Sequence, residues 1–242
     1  MLKKLLSIIL CIIAAMCLHI GISAEEETVP QVPVNIHPRV LVTAEDIPKL
    51  KERVNNDKYK DVYERLISDS KLETDGNLNP PASASASNFN DAVLRYVEAN
   101  SFIYLTTGNK EYAKKAKTAM LNYFSTYVMP SNSEMQMREA GDIMYIGAIS
   151  YDWCYDQLTA ADKANYISEL RKAAQRLHIG YPPTQQGSIV GHGTEAQLFR
   201  DLLSVGIAVY DEDSEIFNVS IKRLTEDHIP ARKFAFQAGF YH

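Results

Sequence analysis

The chain is poor in the residues that staple, grip metal or bind polyanions. Only 3 of its 242 residues are cysteine. Cys11 and Cys17 fall in an apolar N-terminal run, so Cys154 is left alone and no internal disulfide can form. No His/Cys/Asp/Glu spacing reads as a metal site, because His192 and Glu195 lie three apart without an evident third ligand. No glycine-rich phosphate loop or nucleophile elbow occurs. No cofactor is expected. Basic residues are outnumbered, 25 to 30, for a net charge of −5. That balance argues against nucleic acid and anionic lipid as partners. Period-2 alternation is almost missing after the N-terminus, which excludes a β-rich fold.

One long apolar run is present. Lys3 and Lys4 precede Leu5–Ile20, and Gly21-Ile22-Ser23-Ala24 leads into Glu25-Glu26-Glu27. A basic start, an apolar middle and a small-residue exit read as a secretory signal peptide over 1–24. The exit into acids argues against a retained membrane anchor. Met16 before Cys17 argues against a lipoprotein leader. Without that segment 23 basic residues face 30 acidic ones, a net charge of −7. The expectation is an exported bacterial protein, periplasmic or secreted, with no stable membrane insertion.

The rest, 25–242, reads as helical hairpins. Helices are expected over 44–54, with Thr43 and Asp46 as its cap, and over 57–68, followed by a polar loop at 72–88. Then a buried helix followed by an amphipathic one recurs three times: 90–107 with 111–127, 140–155 with 161–177, and 195–210 with 215–228. Inner and outer helices alternating at about 50 residues predict an all-α fold, an α/α toroid of stacked hairpins that is incomplete. Loops at 128–139 and 179–193 should gather at one end and line a cleft. The chain stops at Gly239-Phe240-Tyr241-His242 with no capping signal, which reads as the N-terminal toroid portion of a longer protein.

The densest chemistry is Gly191-His192-Gly193-Thr194-Glu195-Ala196-Gln197. Thr194 as N-cap and Gln197 three residues on would form a capping box, placing Glu195 at the first helical position and His192 on a glycine-flanked loop. Imidazole and carboxylate together can move protons. Equally, an acid in a first turn is favoured by the helix dipole without any catalytic role. His178 and His228 are expected to close helices, the latter just before Ile229-Pro230, and Cys154 to be a small core residue. His37 lies in a segment that reads as a docking strand or linker.

Three stretches resemble heparinase II/III-like polysaccharide lyases, heparinase II most closely: His37–Leu50 (HPRVLVTAEDIPKL), Gly141–Thr159 (GDIMYIGAISYDWCYDQLT) and Gly191–Tyr210 (GHGTEAQLFRDLLSVGIAVY). The likeness spans nearly all of the chain after residue 36. It implies a lyase that cleaves uronic acid-containing glycosaminoglycans, heparin- or heparan sulfate-like, by β-elimination. It implies His192 as the loop histidine at the substrate and Glu195 as the glutamate that neutralises the uronate carboxylate. A tyrosine acid/base is also implied, with Tyr241 the only late tyrosine available. The family's second histidine has no counterpart, and neither has its β-sandwich domain. An anionic polysaccharide partner requires local positive charge despite the acidic chain. Arg138, Arg200, Arg223 and Arg232 are candidates, and Arg138, Gln197 and Arg200 are the expected substrate-binding side chains. Two other readings stand beside it. Asp142, Asp152 or Asp156 could serve a uronate hydrolase of toroid fold, although hydrogen bonding around Thr159 is the favoured role for the last two. Alternatively, Tyr145, Tyr151, Trp153 and Tyr155 could stack sugars in a binding module without chemistry.

Overall fold

Short polar side chains start the main helices. Asn90 accepts the Ala92 N–H, Asn109 that of Glu111, and Asn132 those of Glu134 and Met135. Thr159 and Asp162 form a reciprocal capping box. Each satisfies donors that a helix start leaves open. The computed structural model describes residues 31–74, 87–179, 181, 192–237 and 239, except for the side chains of His192 and Thr194. The chain divides into Met1–Gln31 and Val32–His242, and the fold below is that of the second unit. The leader (1–24), Tyr241, most of the 72–88 loop and most of the 179–193 loop lie outside the described residues.

The protein is all-α, with no strand among the described residues. An irregular strap over 32–46, with turns at 34–35 and 44–46, precedes α1 (Ile47–Val54) and, after a 3-10 turn at Asp57–Tyr59, α2 (Lys60–Asp69). Then come α3 (Asp91–Thr107), α4 (Lys110–Thr126), α5 (Ser133–Trp153) and α6 (Ala160–Ala174). Two interrupted helices follow. α7 joins His192–Ala196, a π-helical Gln197–Leu202 and Leu203–Ala208; α8 joins Glu215–Lys222, a π-helical Arg223–His228 and Ile229–Gln237.

α3 packs on α4, α5 on α6 and α7 on α8, while α3, α5 and α7 also pack in a row. The row is buried because its faces are apolar nearly all round: Val97, Ile103, Met144, Ile149, Leu202 and Val205 are all 2% exposed or less. The outer helices bury only one stripe, such as Ala113, Ala116 and Met120 on α4. Gly108, at φ +71°, ends α3 in the left-handed conformation that glycine takes without strain. Gly206 lets α8 close on α7, since a Cβ there would lie 2.6 Å from the Phe217 backbone.

Several elements depart from expectation. α5 starts at Ser133, so the long 128–139 loop is only a short connection; Asn132 and Glu134 are a cap and a first-turn acid just upstream of a polar stretch. α7 starts at His192, so the backbone of that residue is helical and Glu195 is the fourth helical residue, not the first. The capping box is overturned as well, because the Gln197 amide is spent elsewhere. His228 does not end a helix, since α8 runs on through Pro230. The widened π turn upstream accommodates a residue that has no N–H to donate. α6 stops at Ala174 and leaves His178 exposed in the turn beyond it. Thr43 donates its N–H and hydroxyl to Asp46, which closes a turn ahead of α1 and leaves the helical N–H groups uncapped. The segment around His37 is an irregular strap and not a strand.

No helix among the described residues is long and apolar enough to cross a membrane. Cys154 caps the C-terminal end of α5 in full burial, which pushes its thiol up to about 12.

Candidate functional site

Glu195, on the exposed flank of the first turn of α7, forms an ion pair with Arg232 of α8. His228 Nε2 stands 3.8 Å from the same carboxylate oxygen. The α8 side of the cluster is largely covered, with the Arg232 side chain 12% exposed and that of Glu195 37%. Phe199 packs edge-on against His228 with ring centres 5.1 Å apart. The π segments shape this cluster, because the wider turns shift Phe199 and His228 relative to a regular helix. Arg232 and Glu195 are 37 residues apart, and only the packing of α7 on α8 brings them together.

Gln197 is not a substrate ligand here. It is buried, and its Oε1 accepts the Ile179 N–H at 3.0 Å while Nε2 donates to the Gly193 carbonyl at 3.0 Å. It pins the chain after α6 to the start of α7, and in doing so holds the Glu195 turn in place.

One turn further along α7, Arg200 Nε donates to Asp201 at 2.6 Å and Nη2 stands 3.1 Å from Asp142 of α5. The guanidinium lies 5.7 Å from the Tyr145 ring centre. Asp201 is 2% exposed, and burial holds its carboxyl above the ordinary range against the pull of Arg200. Arg138 is exposed on α5, a turn before Asp142 and so on the same face. Arg223 is buried on α8 and stands 3.4 Å from Asp227 on the same helix.

A second cluster went unseen in the sequence. His37 Nδ1 meets Asp152 at 2.6 Å and Nε2 meets Asp211 at 3.1 Å, and the ring stacks on Tyr155 at 3.6 Å. Asp152 also accepts the Arg39 and Val40 N–H groups, both at 2.8 Å. The Arg39 guanidinium reaches Asp211 and the Ile207 and Ala208 carbonyls. Both imidazole nitrogens are occupied, so this histidine fastens the strap rather than exchanging protons with a ligand. The signal available was His37-Pro38-Arg39, two donors framing a proline, but nothing local names acceptors 113 or more residues away.

The remaining aspartates bear on the hydrolase reading. Asp152 is buried beneath the strap and accepts its N–H groups rather than any around Thr159, whereas Asp156 accepts the Tyr104 hydroxyl at 2.7 Å and, in the loop before Thr159 as expected, the Gln157 side-chain amide at 2.8 Å. A cavity of about 370 Å³ runs past Asp152, Trp153, Tyr155 and Asp156, yet its carboxylates are already engaged. Tyr151 is buried core and donates to Glu212. Among the described residues no group of three His, Cys, Asp or Glu side chains could hold a metal.

No family model matches this chain, and no curated protein gives a significant match.

Proposed function

We propose that the chain is the helical portion of an exported polysaccharide lyase acting on uronic acid-containing glycosaminoglycans, of the heparinase II/III type, its hairpins forming an arc of an α/α toroid. The observation that carries the reading is the cluster that Glu195, in the stretch whose sequence resembles those enzymes, forms with Arg232 and His228 of α8. Elimination beside a uronate breaks the C5–H bond, forms the C4–C5 double bond and expels the C4 oxygen, which takes a proton. The obstacle is the negative charge that builds on the carboxylate when the proton leaves, so cationic or hydrogen-bonding groups must meet it. In this chain Arg232 supplies that charge, Glu195 sets its position, and the His228 imidazole lies beside the pair. His192, in the same turn, is the candidate for proton transfer, with a later tyrosine as its partner.

The test is to incubate the protein with heparan sulfate, hyaluronan and alginate and follow the ultraviolet absorbance of an unsaturated uronate. The reading expects that chromophore from at least one polymer. It also expects a loss of roughly 10²–10⁴-fold in rate for His192→Ala. New reducing ends without the chromophore would establish a hydrolase instead. Binding without turnover, unchanged in His192→Ala, would establish a binding module.

A further inference from the structure

Arg200 is held in an unusual way. Its Nε edge is docked on a carboxylate that is almost wholly buried, while the guanidinium itself is half exposed, the side chain being 42% accessible. A buried carboxylate is costly unless it is paired, so Asp201 is committed to Arg200. The approach depends on Gly141, where a Cβ would lie 2.5 Å from Asp201 Oδ2 and 2.9 Å from Arg200 Nη2. Asp142 is different. Its side chain is 44% exposed and meets the outer edge of the same guanidinium, so it is a counter-ion that water or another anion can replace. The guanidinium lies over the half-buried ring of Tyr145, 5.7 Å from its centre, and that ring is on the same face of α5 as Asp142 and Arg138 by register.

An aromatic face next to a fixed guanidinium matches a sugar acid, whose C–H face stacks on the ring while its carboxylate takes two parallel N–H bonds. We propose that Tyr145 and Arg200 form a subsite for a carboxylate-bearing pyranose, which displaces Asp142, with Asp201 as the positioning residue that keeps Arg200 in place. The inference rests on the uronate-polymer reading above and names where one sugar of that polymer sits. Arg138, a turn away, extends the positive line along α5 toward the next unit.

The experiment is calorimetric binding of an unsulfated glucuronate-containing hexasaccharide and of its carboxyl-reduced, neutral form. The protein should prefer the acidic form by about tenfold or more, the worth of one charge-assisted contact. Arg200→Ala should bring the two affinities close together, whereas Tyr145→Ala should weaken both alike. Asp142→Asn should tighten the acidic form. Asp201→Asn should lower the affinity for the acidic form and leave that for the neutral form unchanged, which a general loss of structure would not do. A preference that survives Arg200→Ala, or affinities untouched by Tyr145→Ala, overturns the subsite. So does failure of the protein to bind either form. The chromophore assay separates the two proposals: unsaturated product with no Arg200 dependence removes the subsite and keeps the lyase. Arg200-dependent binding without that product does the reverse.

Discussion

At His37 one side chain joins three parts of the protein. The imidazole lies between Asp152 at the end of α5 and Asp211 in the turn after α7, all three side chains 7% exposed or less, and it belongs to the strap. Ions removed from water are tolerable only while every member is paired, so deleting one partner costs more than the pair contributes. His37→Ala leaves two buried carboxylates short of a donor and should cost roughly 3–5 kcal/mol in urea unfolding. Asp152→Asn keeps an oxygen for the Arg39 and Val40 N–H groups and should cost about half as much. Equal losses for the two variants would show that strap packing, and not charge, is what matters. Neither variant touches the proposed sugar subsite, so folded protein carrying either one should keep the acidic preference.

Helix existence was legible because it rests on local signals. Apolar stripes at helical spacing mark α3, α4 and α6, and Gly108 marks the end of α3. The apolar content of α3, α5 and α7 marked them as the inner row for the same reason. What stayed hidden depends on partners distant in sequence. The first two turns of α5 are polar on the page and look like loop, and α8 passes through Pro230 by means of a π turn that no residue pattern announces. The site was half visible: Glu195 and Arg200 stood out as types, but Arg232 as the partner of one and Asp201 as the anchor of the other follow only from the packing of α7 on its neighbours. The glycines make the difference testable. Gly206→Ala would press a methyl group on the Phe217 backbone, which cannot move aside, and should cost about 1–3 kcal/mol or more. At Gly193 nothing among the described residues lies within 4 Å of the added Cβ. Because the residue is helical, Gly193→Ala should stabilise by about 0.5–1 kcal/mol. A loss there would mean that the turn is the glycine-dependent loop its sequence implies. Thermal unfolding of the two variants decides.

Across the whole molecule, carboxylates tie the hairpins and the strap together, and they give stability a particular dependence on pH. Burial alone would raise Asp211, Glu212 and Asp162. Hydrogen bonds outweigh it, from Arg39, Asn35 and His37 to the first, from Tyr155, Tyr151 and Lys163 to the second, and from Thr159 and Lys117 to the third. All three are held below their ordinary values of 3.8 to 4.5. A carboxylate lowered in the folded state contributes stability that is complete above its unfolded value and disappears as pH falls through the folded one. Asp201 and Glu98 run the other way, raised chiefly by burial, so each destabilises the fold at neutral pH and is relieved on acidification. Unfolding free energy from urea titrations should therefore stay level, or rise slightly, from neutral pH toward about 5, then fall steeply below about 4 as the paired carboxylates take up protons. Asp211→Asn should make the acid limb shallower, whereas Asp201→Asn should remove the small rise and leave that limb intact. If stability instead kept increasing below the ordinary carboxylate range, the strap and the outer helices would not be held by the ion pairs drawn here. The same measurement bears on Arg200, because a guanidinium anchored on a carboxyl that protonates early loosens before the fold does. Preference for the acidic sugar should consequently weaken at a higher pH than the one at which the helices melt.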